Sequence, residues 1–382
     1  MKELTEILDA MDRFAGEGQQ LALATIVGVR GSTYRRAGAR LLLTRGQQMV
    51  GNISGGCLES DVMVVADEVM DAHVPRLVSY DLTADDDAVW GLGLGCSGAI
   101  DVFVEPVNPA AGVFGLLREA IAREQTLAVV TVLDGPAAGG RIVVRADGSA
   151  SGSLGDAAVD PRAVRAAQAV IDGGTSRQQT LSSPSGDLRV FIEVLRPPIQ
   201  LVVCGAGHDA IPVVLQAASL GWRTVVVDQR QRFLGPERFP GAQRFIHAEP
   251  EDAAGQVPID DRTYVVIMTH NYLHDRALLR GFLATDAMYI GMLGPRARTE
   301  KMLSELGPEG LRLLERDRAR VYGPVGLDIG SETPEEIAVA VCGEILAADT
   351  GRAGGFLRQR LGPIHATASS LRAPKGAKQS QS

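Results

Sequence analysis

Two cysteines lie in glycine-rich segments, where the absence of side chains lets a ligand approach the backbone. Cys57 follows Gly55 and Gly56, and Cys96 lies in the segment Gly-Leu-Gly-Cys-Ser-Gly. The residues after Cys57 have helical spacing, and the positive end of a helix dipole favours the reactive thiolate. Because thiolates are soft ligands, both cysteines are candidate contacts for a ligand or for a soft metal ion.

The segment 31–38 combines small residues, two hydroxyl groups and the guanidinium groups of Arg35 and Arg36. Such a loop can wrap around an anion, because arginine presents paired donors to a phosphate group. The same composition also suits a solvent-exposed turn. Arg35 and Arg36 are therefore candidate anion ligands, with the simple turn as the alternative.

The sequence Gly-x-Gly-x-x-Ala at 205–210 lies between an apolar segment and a helical pattern. Gly205 allows a tight turn, and Gly207 allows a phosphate to approach the backbone. The N-terminus of the helix supplies unpaired N–H groups and a positive dipole end. We predict that a phosphate or nucleotide binds at Gly205, Ala206 and Gly207, with His208 as a further contact; glycines that serve only packing are the alternative.

Three further polar residues follow predicted strands, at the edge where parallel sheets bind ligands. Asp228 lies where an acidic residue commonly binds a ribose hydroxyl, but Arg230 would suit a 2′-phosphate, so NAD and NADP stay open. His270 is a candidate base or ligand contact, and Asp328 is a candidate ligand contact. A structural or helix-capping role is the alternative for both.

The predicted elements divide the chain into an N-terminal and a C-terminal part. Residues 1–197 mix helices and strands, including a hairpin near Gly46, which is typical of an α+β domain. Residues 198–349 alternate strands with helices, which predicts a Rossmann-like, doubly wound parallel sheet. No internal repeat is evident, and the polar segment 137–186 is expected to separate the domains.

Composition narrows the classes of function and the location. The 382-residue chain has a net charge of -8, yet residues 352–382 contain six basic and no acidic side chains. We expect 350–382 to be a disordered basic tail, and the acidic remainder argues against nucleic-acid binding. Neither a long apolar run nor a signal peptide is evident, so we expect a cytoplasmic protein outside the membrane.

The scattered cysteines contain no Cys-x-x-Cys pair. This pattern gives no support for a disulfide framework, a zinc site or an iron–sulfur cluster. Cys204 and Cys342 lie in an apolar predicted strand and a predicted helix, where we expect them to be core residues.

Six motifs together resemble the xanthine dehydrogenase accessory family, called XdhC or CoxI. They extend the likeness from about residue 4 to residue 347 and are 31–38 (GSTYRRAG), 54–59 (SGGCLE), 93–98 (GLGCSG), 205–208 (GAGH), 289–296 (YIGMLGPR) and 322–330 (YGPVGLDIG). The resemblance implies a two-domain accessory protein that binds molybdenum cofactor, as molybdopterin or its dinucleotide form. It further implies that the protein promotes sulfuration of the cofactor and its insertion into a xanthine dehydrogenase-type hydroxylase.

The resemblance also implies partners, namely the client molybdenum hydroxylase and a cysteine desulfurase. A homodimer is the expected assembly, because dimers are the commonest closed assembly. Cys57 or Cys96 would face molybdenum, while the Rossmann domain would hold the phosphate or nucleotide. We expect the glycine-rich segments of both halves to converge on one cleft.

The rival hypothesis is an NAD(P)-dependent oxidoreductase with His270 or His274 as proton donor and acceptor. It requires only the C-terminal fold and leaves the N-terminal cysteine segments without a role. A complete xanthine dehydrogenase is excluded, because four dispersed cysteines cannot hold the iron–sulfur clusters of such enzymes.

Overall fold

The computed structural model describes residues 1–81, 98–183, 186–307 and 313–360. Within these residues the chain forms two compact units, Met1–Pro197 with the described residues from Leu357 onward, and Pro198–Phe356. Cys96 and residues 361–382 of the predicted tail lie outside the described residues. Each unit has its own hydrophobic core.

The first unit begins with an amphipathic helix that buries Leu4, Ile7 and Met11 on one face. A nearly continuous aliphatic run then forms a strand that pairs antiparallel with a neighbour on each side. The sheet order is β3-β2-β1-β5-β4. The elements are α1 (Lys2–Gly16), β1 (Leu21–Gly31), β2 (Arg40–Thr44), β3 (Met49–Gly51), α2 (Glu59–Ala72), β4 (Arg76–Asp81) and β5 (Gly98–Pro106).

A second antiparallel sheet follows in the same unit, with the order β8-β7-β6-β10-β9. Its central strand again comes from an aliphatic run that is buried throughout. The elements are α3 (Gly112–Ala122), β6 (Leu127–Val132), β7 (Arg141–Arg145), β8 (Ala150–Ser153), α4 (Asp160–Gly173), β9 (Arg177–Leu181) and β10 (Leu188–Leu195).

The two sheets are an internal repeat, because their element order and strand order correspond one to one. We call residues 21–106 the first repeat and residues 127–195 the second repeat. The expectation that no repeat exists was therefore wrong. The expectation that 137–186 separates the domains was also wrong, since this segment supplies β7, β8, α4 and β9.

Corresponding residues of the repeats have the same conformational and hydrogen-bonding roles. Gly51 and Gly152 both have positive φ, and a Cβ at either would lie within 2.4 Å of a carbonyl oxygen on the paired strand. Glu59 and Asp160, at equivalent positions of α2 and α4, accept hydrogen bonds from the N–H groups of Ile53 and Leu154. These constraints act through the backbone, so they survive divergence of most side chains.

Two buried ion pairs link the repeats reciprocally. Arg40 on β2 pairs with Glu193 on β10, and Arg141 on β7 pairs with Glu105 on β5. Arg40 and Arg141 occupy corresponding strands of the two repeats, as do Glu105 and Glu193, so each arginine pairs with the glutamate of the other repeat. Helices α1 and α3 pack with apolar residues of both sheets, whereas α2 and α4 each pack on one sheet.

The second unit is a parallel sheet of the order β13-β12-β11-β14-β15-β16. Its central strands are buried along their whole length, as in sheets with helices on both faces. The elements are β11 (Gln200–Cys204), α5 (Ala210–Ser219), β12 (Arg223–Asp228), β13 (Arg244–His247), α6 (Ala253–Gln256), β14 (Thr263–Ile267), α7 (Tyr272–Leu283), β15 (Tyr289–Met292), α8 (Arg296–Leu306), α9 (Glu315–Ala319), β16 (Val321–Tyr322) and α10 (Pro334–Thr350).

The predicted fold class is confirmed, with an α+β half before a Rossmann-like parallel sheet. The sequence prediction missed short elements, namely β8, β13, α6 and α9. These contain five residues or fewer, too few for a periodic pattern to stand out from the surrounding loops.

Candidate functional site

The first candidate site is the turn that carries Cys57, between β3 and α2. Gly55 and Gly56 have φ of 79° and 112°, a conformation that strongly favours glycine. A Cβ at Gly55 would lie 3.3 Å from the ring of Tyr34, so this ring rests against the glycine backbone. Cys57 is partly exposed beside them. We call Tyr34, Gly55, Gly56 and Cys57 the thiol turn.

The carboxylate of Glu59 occupies much of the hydrogen-bonding capacity of the thiol turn. It accepts from the N–H groups of Ser54 at 3.0 Å, Gly56 at 2.9 Å and Leu58 at 3.2 Å. Burial acts to raise the pKa of Glu59, but its hydrogen bonds with Ser54 and neighbouring N–H groups outweigh burial and lower this pKa. An external anion would therefore compete with Glu59 for these donors.

The 31–38 segment packs directly against the thiol turn and against the start of β5. A Cβ at Gly98 would lie 2.6 Å from the carbonyl oxygens of both Arg30 and Ser32. Tyr34 contacts Gly55, as described above, and its side chain remains largely exposed. Three segments that are distant in sequence thus meet at one end of the first repeat, and Cys96 precedes Gly98 by two positions in the sequence.

The arginines predicted to bind an anion lie in this loop. Arg35 forms an ion pair with Glu3 of α1, so a phosphate at Arg35 would compete with an existing carboxylate. Arg36 lies on the same loop and is itself engaged in an interaction within the protein. Their role as anion ligands stays a prediction.

The second repeat provides an internal comparison for the thiol turn. Ala158 stands at the position that corresponds to Cys57, counted from the ends of β7 and β2 and from the starts of α4 and α2. The connection that corresponds to 82–97 is shortened to 182–187. Both cysteine segments therefore belong to the first repeat and have no cysteine counterpart in the second.

The second candidate site is at the carboxyl edge of the parallel sheet, beginning with the turn after β11. Gly205 has φ of 115°, and a Cβ there would lie 2.6 Å from the carbonyl oxygen of Met268 on the neighbouring chain segment. Its N–H donates to Val227 at 2.8 Å. The N–H groups of Gly207 and His208 have no partner among the residues that the structure describes, so they are available to a ligand.

Asp228 is engaged within the protein rather than open to a ribose. It accepts from the Ala206 N–H at 2.6 Å and forms an ion pair with Arg230 at 2.8 Å. Burial acts to raise the pKa of Asp228, but the bonds from Arg230 and Ala206 outweigh burial and lower it. Sequence reasoning missed this role, in which Asp228 fixes the turn after β11.

A cavity of about 220 Å³ lies beside this turn. Its lining includes the apolar side chains of Ala253 and Leu278 and the polar side chains of Asp228, His270 and His274. Such a mixture of apolar walls and a few polar groups is typical of small-molecule sites. We call this cavity, with the N–H groups after Gly205, the nucleotide pocket.

His270 joins two loops of the nucleotide pocket. It has a left-handed φ of 62°, which is uncommon for a residue other than glycine, and its Nε2 lies 2.7 Å from Asp209 Oδ2. The Asp209 carboxylate precedes α5, where a bound phosphate would otherwise meet the positive end of the helix dipole. A ligand phosphate must therefore approach the Gly207 and His208 N–H groups beside this carboxylate.

A buried ion pair that sequence reasoning missed supports the loop of His270. The Asp275 side chain accepts from Arg298 at 2.6 Å and from the Thr269 N–H at 3.2 Å. Burial is the main cause that raises the pKa of Asp275, against the lowering effect of Thr269 and Arg298. The only sequence signal was an arginine two residues beyond the 289–296 motif.

Asp328 is an exposed residue and does not belong to the lining of the cavity described above. Its candidate ligand role stays a prediction. Among the described residues, no cluster of three or more His, Cys, Asp or Glu side chains has the arrangement of a metal site. Within the described part of the chain, Cys57 is therefore a single soft donor rather than part of a preformed metal cage.

Comparison with known families agrees with this division of the chain. The model described as the XdhC and CoxI family matches residues 15–81 and 120–182, which span β1–β4 and β6–β9 of the two repeats. The model described as the XdhC Rossmann domain matches residues 201–345. The chain belongs to the XdhC and CoxI family.

Two curated relatives align with most of this chain. One relative, from Bacillus subtilis, is described as a probable subunit of xanthine dehydrogenase and is 31% identical over 88% of this chain and 95% of its own length. The molybdenum cofactor insertion chaperone PaoD of Escherichia coli is 22% identical over 87% of this chain and 86% of its own.

A solved structure shares the fold of this XdhC and CoxI family protein. A crystal structure from Bacillus halodurans, described as a xanthine dehydrogenase, superimposes with a TM-score of 0.72 at 29% identity and covers 91% of this chain and 96% of its own. Within the part of the chain that the structure describes, every helix is too short or too polar to cross a bilayer.

Proposed function

We propose that this protein is a chaperone for molybdenum cofactor, which binds the cofactor, promotes its sulfuration and assists its insertion into a xanthine dehydrogenase-type hydroxylase. Membership of the XdhC and CoxI family supports an accessory role. The relative PaoD is named as a molybdenum cofactor insertion chaperone, which supports the cofactor as the cargo. We expect a cytoplasmic homodimer that meets a cysteine desulfurase and a client hydroxylase.

The observation that carries this proposal is the thiol turn, which the second repeat lacks. Molybdopterin presents a dithiolene-bound metal, and a thiolate is a suitable soft ligand for such a metal. Cys57 supplies a partly exposed thiol, and Gly55 and Gly56 remove the side chains that would obstruct a ligand. The residues present therefore fit the metal-bearing end of the cofactor.

In the second unit, the nucleotide pocket offers donors for a phosphate group. The N–H groups of Gly207 and His208 can donate to a phosphate group of the cofactor. Arg35 and Arg36 stay candidate anion ligands, and Cys96 stays a candidate contact for the metal.

The second repeat supplies a matched set of variants for testing the thiol turn. Cys57→Ala installs the residue that the second repeat already has at the equivalent position, so we expect the fold to be retained. Ala158→Cys places a thiol in the equivalent turn of the second repeat. Cys342→Ala removes a buried thiol from the other unit and serves as the control.

Each purified variant is mixed with molybdenum cofactor, and the cofactor retained after gel filtration is measured by absorbance and molybdenum content. We expect Cys57→Ala to lose most of the cofactor and Cys342→Ala to retain it. Ala158→Cys combined with Cys57→Ala should not restore retention, because the second repeat lacks the 82–97 segment. Equal retention by Cys57→Ala and the unsubstituted protein would remove the thiol from the proposal, and the Cys96→Ala variant then tests the other cysteine.

Delivery is tested by adding the loaded protein to an apo-hydroxylase with and without a cysteine desulfurase. We expect client activation to exceed that obtained with free cofactor and to depend on the desulfurase.

The alternative of an NAD(P)-dependent oxidoreductase is favoured by one observation, that His270 and His274 both line the nucleotide pocket. Saturable nicotinamide reduction without cofactor retention would reverse the ranking.

A further inference from the structure

The carboxylate of Asp228 has no acceptor position left for a ribose hydroxyl. Its Oδ1 accepts from the N–H of Arg230 at 2.8 Å and from Nε of Arg230 at 2.9 Å. Its Oδ2 accepts from the Ala206 N–H at 2.6 Å and from Nη2 of Arg230 at 2.8 Å. A carboxylate offers about four lone-pair sites, so these four bonds satisfy it.

Arg230 takes the place of Asp228 at the surface of the nucleotide pocket. The Asp228 side chain is 4% exposed, whereas that of Arg230 is 44% exposed. Nη1 of Arg230 has no partner among the described residues. The group that a ligand meets here is therefore a guanidinium donor rather than a carboxylate acceptor.

Two more arginines gather at the same place, around the ring of Phe233. The guanidinium carbons of Arg230, Arg232 and Arg238 lie 4.4, 4.9 and 5.2 Å from the ring centre. The ring faces hold these cations beside one another, although like charges repel. This positive cluster stands out in a chain whose net charge is -8.

We propose that the nucleotide pocket selects a nucleoside that carries a phosphate on its ribose, at the 2′ or 3′ position, in addition to its 5′-phosphate. The inference rests on the proposed nucleotide site and specifies its ligand. The guanidinium group of Arg230 donates to the ribose phosphate, and Arg232 adds positive charge beside it. Arginine suits this role because its planar fork matches phosphate oxygens.

An unphosphorylated ribose is disfavoured by the same geometry. To accept from its hydroxyls, Asp228 would have to give up Arg230 or the Ala206 N–H. The loss of Arg230 would leave a carboxylate that is nearly buried and no longer neutralised. The loss of the Ala206 bond would loosen the turn that presents the phosphate-binding N–H groups.

The test compares ligands that have equal numbers of phosphates and differ only in where they are attached. Adenosine 2′,5′-bisphosphate, adenosine 3′,5′-bisphosphate and ADP are titrated into the full-length protein by calorimetry. We expect at least one ribose bisphosphate to bind roughly 10- to 100-fold more tightly than ADP, the range expected for a charge-assisted hydrogen bond. NADP should likewise bind more tightly than NAD.

Arg230→Ala should remove this preference, because it removes the phosphate donor and frees Asp228 to accept ribose hydroxyls. ADP affinity should hold or rise in this variant. Arg244→Ala is the matched control, since Arg244 is an exposed arginine at the start of β13, the end opposite the carboxyl edge. It should retain the preference in full.

In the ligand titrations, two results would overturn the inference: ADP binding as tightly as both bisphosphates, or no binding by any of the three ligands. A preference that persists in Arg230→Ala would also overturn it. These outcomes are separate from the proposed chaperone function, which is measured by cofactor retention at the thiol turn. Loss of retention with intact bisphosphate preference would contradict the chaperone function alone.

Discussion

Removal of Glu193 tests whether the reciprocal ion pairs hold the two repeats together. The side chains of Arg40 and Glu193 are 11% and 8% exposed, so both charges are largely removed from water. Arg40 also donates to the Gly38 carbonyl oxygen at 2.9 Å, and this bond would survive in Glu193→Ala. In this variant, the buried guanidinium group of Arg40 would keep only a neutral carbonyl oxygen as its partner.

The expected cost follows from the burial of the cation that remains. Breaking a buried pair by removal of one partner costs about 3–5 kcal/mol, and Glu193→Ala should fall in this range. The equivalent Glu105→Ala leaves Arg141, which is 20% exposed and better hydrated, so we expect about 2–3 kcal/mol. Glu193→Gln keeps an acceptor for Arg40 and should cost less than Glu193→Ala.

Urea unfolding, followed by circular dichroism, gives the free energies of unfolding for comparison. Glu68→Ala is the control, because Glu68 and its partner Arg76 are 56% and 50% exposed and their pair should contribute less than about 1 kcal/mol. A cost of Glu193→Ala no greater than that of Glu68→Ala would refute the reasoning. So would a larger cost for Glu105→Ala than for Glu193→Ala.

Three further predictions concern the turns and the thiols. Gly205→Ala should destabilise the protein by about 2–4 kcal/mol in thermal or urea unfolding, because of its positive φ and the clash with a carbonyl oxygen, whereas Gly235→Ala should have little effect since a Cβ there meets nothing within 4 Å. Glu59→Gln should cost about 1–3 kcal/mol at neutral pH. Because the folded-state pKa of Glu59 is lowered, the stabilisation that its carboxylate contributes is present above the ordinary glutamate pKa and is lost as the pH falls through the lowered pKa. The difference in unfolding free energy between Glu59→Gln and the parent, measured in urea, should therefore narrow as the solution is acidified below the ordinary glutamate pKa; a constant difference would contradict this assignment. In the native protein, a thiol reagent followed by peptide mass spectrometry should label Cys57 and leave Cys342 unmodified, because Cys342 is 2% exposed and burial raises the pKa of its thiol to about 12; equal labelling would argue against the exposed thiol turn.

The local sequence was sufficient to predict the Rossmann-like unit. An apolar strand, the glycine spacing at 205–210 and Asp228 at the next strand end all lie close together in the chain, and each has a local physical cause. The hairpin of β2 and β3 near Gly46 could be predicted for the same reason, because its two strands are close together in the sequence. This locality also explains why the structural role of Asp228 was not predicted, because the Ala206 N–H reaches it only after β11 and β12 have paired.

The repeat could not be recognised from periodicity or motifs. Its shared features are a glycine conformation, a carboxylate at the first residue of a helix and a reciprocal exchange of Arg–Glu partners, and the few residues that carry them are widely spaced in the chain. The convergence of the glycine-rich segments of both halves on one cleft stays a prediction.

The sequence by itself determined where the longer strands and helices and the glycine turns form and which cysteines lie beside glycines, because those properties depend on neighbouring residues and backbone freedom. Only the tertiary structure decided which distant groups meet: Tyr34 against Gly55, the Ala206 N–H on Asp228, and Arg40 with Glu193. Hydrogen bonds and ion pairs form between atoms a few ångströms apart, and strand pairing and packing bring those atoms together from segments that the chain keeps separate.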